Sequence, residues 1–256
     1  MRLFRYCVSL LLLASLQLSA LSDPLVVAHR GGRSIGPGNR LPTIRKAVEL
    51  NVDAIEVDIH QSKDGHLMVA HDLTLERHFG VTGSIDKMTL SELRAVGVPT
   101  LQDVAKVVNG HCRLVIEIKH PKDGTRHRGI ERRLVDLLKE QNLLESSIVI
   151  SFYADSVKRF HQLAPQVDTG FLFSKTPRDL KGLKRKLGIS YLGPRNTLVT
   201  RNFIRKAHKL GLKVNPWTVN GRRELRRFVT LGCDAITTDD PHLLVDILKG
   251  GWFVKG

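Results

Sequence analysis

The chain has 256 residues, a length that fits one large domain or two small ones. Its hydrophobic content of 42% can supply a packed core and argues against a globally disordered chain. Forty Lys and Arg residues against 25 Asp and Glu residues give a formal net charge of +15, which favours contact with anionic surfaces or substrates but does not specify nucleic acid.

Residues 1–22 are typical of a signal peptide. Arg2 and Arg5 form a positive segment, an apolar run extends from Cys7 to Leu18, and Ala-Leu-Ser at 20–22 resembles a cleavage site. The apolar run is short for a membrane span, so we predict cleavage after residue 22 and export to the periplasm or the exterior. The alternative is an uncleaved N-terminal membrane anchor.

From residue 23 onward, short β-rich runs alternate with helical patterns, which indicates βα units and a parallel sheet. The predicted strands are Leu25–His29, Ala54–Ile59, Arg113–Lys119, Ile148–Phe152, Asp168–Phe173, Ile189–Leu192, Lys213–Thr218 and Ala235–Thr238. The predicted helices are Arg40–Leu50, Leu101–Val108, Gly129–Gln141, Asp155–Leu163, Pro177–Leu187, Arg201–Leu210, Arg222–Leu231 and Pro241–Lys249. Eight alternations predict an α/β fold, a (β/α)8 TIM barrel that occupies residues 23–256 as one domain.

One stretch interrupts this alternation. After the strand that ends at Ile59, the dipeptide Asp64-Gly65 predicts a hairpin turn between two extended segments. No further barrel helix is predicted before Leu101. We therefore expect residues 61–99 to form a small inserted subdomain on top of the barrel, after its second strand.

Two predicted strands carry charged pairs two positions apart, Glu56 with Asp58 and Glu117 with Lys119. Side chains at i and i+2 of a strand point to the same face. Both pairs end apolar runs, at the face of a barrel where active sites lie. Such a group suits a hard divalent cation and an anionic substrate. The alternatives are a water-facing edge strand for the first pair and an isolated ion pair for the second.

Two histidines are predicted to reach the same rim. His29 ends the first predicted strand and precedes Arg30 and a Gly-rich loop, and His71 ends the returning arm of the hairpin. A single histidine is more often a satisfied or solvent-facing side chain. Two histidines beside a metal site suit general acid–base catalysis, because imidazole titrates near neutral pH.

Other candidates lie after the later strands. Trp217 ends the seventh predicted strand and is either an apolar wall for a substrate or core packing. Asp239 or Asp240, after the last strand, is expected to cap a helix rather than to bind a ligand. Cys112 and Cys233 precede strands that are not neighbours, so we predict that both are free thiols.

The basic residues occur in three runs, at 178–186, 201–213 and 222–227. They alternate with apolar positions at helical spacing, which is typical of a solvated outer helix face. Few aromatic residues lie among them to stack on bases, and no nucleic-acid-binding motif is evident. We therefore predict no nucleic-acid partner.

The chain resembles the glycerophosphodiester phosphodiesterase family. The matching blocks, in family order, are AHRGGRSIGPGNRLPTIRKAV, VDAIEVDIHQSKDGHLMVAHDLTLER, VPTLQDV, LVIEIKH, ISFY, NPWTVN and DAITTDDP. The resemblance implies a (β/α)8 barrel with an insertion after strand two and one divalent cation, Ca²⁺ or Mg²⁺. It implies a phosphoric diester hydrolase that converts glycerophosphodiesters into glycerol 3-phosphate and an alcohol.

The resemblance also implies roles for the residues at matching positions. The metal carboxylates would be Glu56, Asp58 and Glu117, and the acid–base pair would be His29 and His71. Arg30 and Lys119 would hold phosphate oxygens, and Trp217 would line the glycerol side. The expected partner is a small-molecule phosphodiester, with peripheral contact to an anionic membrane surface left open. Lysophospholipase D-type cleavage and a non-catalytic barrel that binds anionic headgroups are the alternatives.

The chain departs from the family at one place. The family usually carries Pro-Glu-Asn-Thr after the His-Arg-Gly loop, whereas this chain has Pro37-Gly38-Asn39-Arg40. A carboxylate is missing where Gly38 stands, and a cation replaces a small hydroxyl residue. The expected consequence is a changed position of Arg30 or a changed environment of the metal.

Overall fold

A computed structural model describes residues 23–121 and 125–250, so the predicted signal peptide lies outside the described residues. The strands in this part are β1 Leu25–Ala28, β2 Ala54–Gln61, β3 Leu67–Val69, β4 Arg113–Ile118, β5 Ser147–Ser151, β6 Asp168–Phe173, β7 Tyr191–Pro194, β8 Lys213–Val214 and β9 Ala235–Thr238. The α-helices are α1 Leu41–Glu49, α2 Glu76–Phe79, α3 Leu90–Ala95, α4 Leu101–Val108, α5 Ile130–Glu140, α6 Ala154–Leu163, α7 Leu180–Leu187, α8 Arg201–Lys209, α9 Arg222–Leu231 and α10 Pro241–Lys249. None of these helices is long and apolar enough to cross a membrane.

Eight parallel strands form one sheet in the order β8-β7-β6-β5-β4-β2-β1-β9. Hydrogen bonds between the segments at its two ends bring the sheet round into a nearly closed barrel. Asp234 N donates to Val214 O (3.1 Å), Thr237 N donates to Pro216 O (3.1 Å), and Val219 N donates to Thr237 O (2.9 Å). The predicted (β/α)8 barrel is confirmed.

The strands alternate between the barrel interior and the layer of helices, and this parity decides where the charged residues point. Along β2, Ala54 belongs to the interior cluster, whereas Ile55 and Val57 pack under the helices. Glu56 and Asp58 share the parity of Ala54 and therefore face the interior. The interior cluster consists of Val27, Ala54, Val115, Ile148, Ile150, Leu172, Tyr191 and Ala235.

Two element boundaries differ from the prediction by three or more residues, each for a local reason. β8 ends at Val214 instead of Thr218, and the proline at 216 has no N–H to continue the ladder. α7 begins at Leu180 instead of Pro177, because the Asp179 carboxylate caps it by accepting a hydrogen bond from Gly182 N (2.8 Å).

The segment between β2 and α4 contains the predicted hairpin. β3 pairs antiparallel with β2, and Gly65 takes a φ of +92° in the turn. Ala70 N donates to Asp58 O (3.1 Å), so His71 lies beside the end of β2. This segment has its own small core, which consists of Met68, Ala70, Leu75, Ile85, Leu93 and Val98.

Cys112 and Cys233 are free, as predicted. Burial raises the pKa of Cys112 to about 11 and that of Cys233 to about 12. Both therefore remain protonated thiols at neutral pH, which makes them weak nucleophiles.

Candidate active site

Three buried carboxylates meet at the C-terminal end of the barrel. Glu56 and Asp58 come from β2, Glu117 comes from β4, and Asp58 and Glu117 are register partners on these neighbouring strands. Their exposed fractions are 2%, 1% and 8%. One oxygen from each lies within 4.8 Å of the others. This geometry is suited to a hard divalent cation, which prefers oxygen ligands.

Burial and mutual repulsion set the charge on this cluster. Burial, together with Asp58 and Glu117, raises the pKa of Glu56 well above its usual value. Burial also raises the pKa of Glu117 to about 7, against the opposing effect of Lys119. Burial would raise the pKa of Asp58 as well, but the Lys119 and Arg30 cations outweigh it and lower that pKa. Asp58 is therefore ionised, and a bound cation would keep the other two carboxylates ionised.

Two cations lie against the carboxylates. Lys119 Nζ is 3.1 Å from Glu117 Oε1 and 3.4 Å from Asp58 Oδ1, and Arg30 Nε is 3.2 Å from Asp58 Oδ2. Asp58 Oδ1 is within ion-pair distance of Lys119 but has no hydrogen-bond partner among the described residues. A buried oxygen of this kind is unusual in a folded protein and fits a metal ligand. The donor set thus fits a divalent cation.

The loop after β1 brings Arg30 to the cluster. Arg30 has φ +52° and ψ +34°, a left-handed conformation that is uncommon outside glycine. Its backbone N donates to Glu56 Oε2 (2.8 Å), and its backbone O accepts from Asn39 N (2.8 Å). Asn39 Nδ2 in turn donates to Asp58 Oδ2 (2.9 Å). Hydrogen bonds to Glu56 and, through Asn39, to Asp58 therefore stabilise the strained conformation of this loop.

Asn39 was not among the predicted site residues. It is 3% exposed and has φ +59°, a conformation that asparagine tolerates better than most residues. The Pro37-Gly38-Asn39 run before a helix is a turn signal. That signal could have predicted the turn conformation of the backbone at Asn39, but it does not reveal the hydrogen bond from Asn39 to Asp58.

Each candidate acid–base histidine is held by a carboxylate. His29 Nδ1 is 2.7 Å from Asp239 Oδ1, and His71 Nδ1 is 2.7 Å from Asp72 Oδ1. Because Nδ1–H donates to the carboxylate, Nε2 of each ring is left for proton transfer. The expectation that Asp239 caps a helix is wrong, since its carboxylate binds His29 instead. Asp240 occupies the N-cap position of α10, but its side chain makes no capping hydrogen bond.

The environment of His71 lowers its basicity. Burial lowers the pKa of His71, and the Asp58 carboxylate opposes this effect. His78 Nε2 also lies 3.0 Å from Asp72 Oδ2, within ion-pair distance, so one carboxylate lies beside two imidazoles. Asp72 and His78 were not predicted, although Asp72 stands directly after His71 in the sequence.

Three further histidines form a buried chain that reaches His71. His60 Nε2 is 3.2 Å from His71 O and therefore carries the proton, so His60 Nδ1 accepts from His127 Nε2 (3.1 Å). His127 N donates to His120 Nδ1 (3.2 Å), so His120 Nε2 donates to Ser156 Oγ (2.6 Å). His120 must be neutral because its Nδ1 accepts from a backbone N–H, and the other bonds are satisfied when His60 and His127 are neutral as well.

The pKa values agree with that requirement. Burial lowers the pKa of His60 to about 3 and that of His120 to about 4, and burial also lowers the pKa of His127. The chain continues to Glu131, which accepts from Ser156 Oγ (2.8 Å). No sequence signal predicts this network, because its members come from separate segments.

Two cavities meet at the site. The larger, of about 550 Å³, lies on the His71 side and is lined by His60, Arg77, Lys119 and Tyr153 among others. The smaller, of about 110 Å³, is lined by both His29 and His71 and includes Trp217. Glu117, Lys119, His71 and Phe152 line both cavities, so a ligand held between them would contact both pockets.

The aromatic wall of the smaller cavity is fixed in place. Trp217 Nε1 donates to Gly193 O (2.8 Å), and the Trp217 ring packs edge-on against Phe152 at 5.2 Å. Phe152 is 39% exposed and is the only large apolar side chain so exposed in the described residues. Trp217 is therefore not simply core packing, because it lies in the wall of a cavity.

Gly38 lies beside Arg30. A Cβ atom at position 38 would be 3.1 Å from Arg30 Cβ and 3.2 Å from Arg33 Cγ. A side chain here would thus point along two guanidinium-bearing side chains. The structure locates the departure from the family pattern next to the Arg30 loop.

The predicted residues come together from five separate segments of the chain. The residues that the barrel brings to this rim are His29, Arg30, Glu56, Asp58, His71, Glu117, Lys119 and Trp217. The arrangement can hold a divalent cation, neutralise an anionic group and move protons through two oriented imidazoles.

Several known proteins are similar to this chain in sequence and in fold. Residues 29–243 match the model of the glycerophosphoryl diester phosphodiesterase family. The glycerophosphodiester phosphodiesterase of Caldanaerobacter subterraneus subsp. tengcongensis is 31% identical over 241 residues, which cover 89% of this chain and 98% of that protein. A glycerophosphodiester phosphodiesterase structure from Parabacteroides distasonis has a TM-score of 0.77 at 26% identity and covers 89% of this chain and 98% of the other.

A fourth likeness concerns the fold. The Oleispira antarctica phosphodiesterase, solved with the product sn-glycerol-3-phosphate, has a TM-score of 0.79 at 23% identity, covering 89% of this chain and 97% of the other. The family match begins at His29 and includes all eight predicted site residues. This chain belongs to the glycerophosphoryl diester phosphodiesterase family.

Proposed function

We propose that this protein hydrolyses glycerophosphodiesters to glycerol 3-phosphate and an alcohol, with one divalent cation held by Glu56, Asp58 and Glu117. The observation that carries the proposal is the convergence of these buried carboxylates with two carboxylate-bound imidazoles. The sn-glycerol-3-phosphate bound to the Oleispira antarctica protein supports the product class.

The charged residues would stabilise the transition state. A bound divalent cation would polarise a phosphoryl oxygen and offset developing negative charge. Arg30 and Lys119 are held by the carboxylates at the same rim, where they can contact the remaining phosphoryl oxygens. Because both are anchored before substrate arrives, little reorganisation is needed as charge develops.

The two imidazoles would move the protons. One ring accepts a proton from the attacking oxygen, and the other donates a proton to the leaving alcohol. Asp239 holds His29 and Asp72 holds His71 through Nδ1, so each ring keeps one orientation and one tautomer. The His60 bond to His71 O fixes the backbone beneath the second ring.

The metal we propose is Ca²⁺ or Mg²⁺. The three candidate ligands are carboxylates, which both ions prefer, and no cysteine accompanies them among the described residues. Protein stripped with a chelator and reloaded with each ion separately would distinguish the two by turnover and by calorimetric affinity.

The test uses Glu117→Gln and His71→Gln, with Glu145→Gln and His111→Gln as matched controls at exposed positions. We expect release of glycerol 3-phosphate from glycerophosphocholine to fall by about 10²-fold or more in both site variants, because each removes a group that acts on the reacting phosphate. The controls should keep wild-type rates. Unchanged release in either site variant would rule out this assignment. Calorimetry should show weaker metal binding only for Glu117→Gln.

A second candidate function is lysophospholipase D-type cleavage. The exposed Phe152 ring beside Trp217 gives the mouth of the cavity an apolar side that an acyl chain could contact. Activity on lysophosphatidylcholine micelles, compared with glycerophosphocholine, separates the two substrates. Metal-dependent thermal stabilisation without hydrolysis of either would instead favour the non-catalytic headgroup-binding barrel.

Export of the chain belongs to the same proposal. The support for export is the signal-like composition of residues 1–22. N-terminal sequencing of protein from the exported fraction should begin near Asp23. Recovery of the full chain in the cytoplasm would contradict export, and recovery of the full chain in membranes would favour the anchor.

A further inference from the structure

The positive charge of this chain is concentrated in one segment. Residues 175–232 contain sixteen Lys and Arg residues and only two acidic residues, Asp179 and Glu224. The other 198 residues contain 24 basic and 23 acidic residues, so they are almost neutral. Of the net charge of +15, +14 therefore belongs to less than a quarter of the sequence.

The fold gathers this segment on one side of the barrel. It supplies α7, α8 and α9, which follow the successive strands β6, β7 and β8. Lys184 Nζ on α7 donates to Leu210 O at the end of α8 (2.6 Å), which joins the first two helices. The exposed basic residues of the three helices are Lys181, Arg185, Lys186, Arg201, Arg205, Lys206, Lys209, Arg222, Arg223, Arg226 and Arg227.

Few of these cations are neutralised within the protein. Glu224 pairs with Arg227 at 2.7 Å. The Asp179 carboxylate accepts from Gly182 N at the start of α7 and forms no ion pair among the described residues. The helix faces are thus free to attract an external polyanion.

A groove runs between α7 and α8 and combines charge with apolar surface. Its volume is about 640 Å³. The basic residues at its edges are Arg178, Lys181, Lys206 and Lys209, and Asp179 also lines it. Leu180, Leu198, Phe203 and Leu210 contribute apolar atoms. Long basic side chains over an apolar floor are suited to a surface of anionic headgroups above hydrocarbon.

We propose that the outer face of α7, α8 and α9 is a docking surface for an anionic phospholipid bilayer. Charge complementarity selects the partner, and the apolar groove favours lipid over nucleic acid. The phenylalanines of these helices, Phe203 and Phe228, are buried, so the face offers no aromatic platform for bases. This surface lies outside the carboxylate site and binds whether or not the protein hydrolyses diesters.

The test neutralises four cations at the groove in one variant: Arg178→Gln, Lys181→Gln, Lys206→Gln and Lys209→Gln. The control variant removes four exposed cations from α1, α4 and α5, on the other side of the ring: Arg45→Gln, Lys106→Gln, Arg132→Gln and Lys139→Gln. Both variants lower the net charge by the same amount. Circular dichroism and thermal unfolding would confirm that each variant is folded.

Binding is measured by co-sedimentation with vesicles of phosphatidylcholine alone or with 30% phosphatidylglycerol. We expect the wild-type chain to bind the anionic vesicles at least tenfold more tightly than the neutral ones at low salt, with binding weakened by added NaCl. The groove variant should lose at least tenfold in affinity, and the control variant less than threefold. Release of glycerol 3-phosphate from soluble glycerophosphocholine should be equal in all three proteins.

Several results would overturn the proposal. Equal binding to both vesicle types would show that the face does not recognise anionic lipid. Equal losses in the two variants would show that only net charge matters. Tighter binding to a DNA duplex than to anionic vesicles at the same ionic strength would assign the face to nucleic acid. Vesicle binding by a wild-type chain that does not hydrolyse glycerophosphocholine would instead count against the proposed function alone and leave the docking surface standing.

Discussion

At the scale of single residues, Gly38 is the position where this chain departs most clearly from its family. Gly38→Glu would place a carboxylate beside Arg30 and Arg33, with its Cβ 3.1 Å from Arg30 Cβ and 3.2 Å from Arg33 Cγ, so these neighbours must shift slightly. We expect a changed metal affinity or a changed KM, because the new charge competes with Asp58 for Arg30. Turnover across metal concentrations measures this, and Gly38→Gln controls for size. Identical metal and substrate dependence in the glutamate variant and wild type would refute it.

Asp239 offers a second prediction at this scale. Asp239→Asn should lower kcat by roughly 10²-fold with little change in KM, because His29 loses the acceptor that fixes its tautomer and orientation. The neighbouring Asp240→Asn is a matched control, since that carboxylate contacts Gly221 N but neither imidazole. The pH profile of kcat should shift only for Asp239→Asn. An unshifted profile with wild-type kcat would contradict the positioning role.

At the scale of elements, the parity of the strands explains why so much of the site could be predicted. Once β2 and β4 are placed side by side in a parallel barrel, Glu56, Asp58 and Glu117 must point inward at one rim. The hairpin predicted at Asp64-Gly65 then brings His71 to the same rim. The groups that hold these residues could not be predicted in this way. Asp239 reaches His29 because the last strand, β9, pairs with the first, β1, and this contact depends on tertiary structure rather than on local pattern.

The buried histidine chain gives a prediction for the elements that it joins. Histidine has a pKa near 6.5 in the unfolded chain, whereas the pKa of His60 is about 3 and that of His120 is about 4 in the folded protein. As the pH falls below 6.5, these histidines therefore bind protons in the unfolded chain before they do so in the folded protein. The free energy of unfolding that they contribute above pH 6.5 is lost as the pH falls towards 4. His120→Gln should reduce this acid-induced loss by about 2 kcal/mol.

Urea unfolding at several pH values between 7.5 and 4 measures that loss. His111→Gln, at an exposed position, is the control and should keep the wild-type dependence on pH. The slope with pH is the relevant quantity, because His120→Gln also removes a hydrogen bond to Ser156 at every pH. The same slope in His120→Gln and wild type would show that the chain does not titrate on unfolding.

At the scale of the whole molecule, the carboxylate cluster would couple binding of the proposed cation to stability. The pKa of Glu117 is raised to about 7, from a usual value of 4.5. In metal-free protein its contribution is favourable below pH 4.5 and is lost as the pH rises through 7. Added Ca²⁺ or Mg²⁺ should therefore raise Tm more at pH 8 than at pH 5.5. Equal increases at both pH values would show that Glu117 does not bind the ion.

The chemistry and the charge of this chain come from different stretches of sequence. Both imidazoles and all three carboxylates lie between residues 29 and 117, whereas the cationic helices lie between 175 and 232. The groups proposed for catalysis and the helices proposed for membrane docking thus come from separate parts of the sequence. The later part of the chain contributes to the site mainly through Asp239 and Trp217. We therefore expect substitutions in the cationic helices to change the proposed membrane contact without changing catalysis, and a relative with neutral outer helices to catalyse the same reaction without binding anionic membranes.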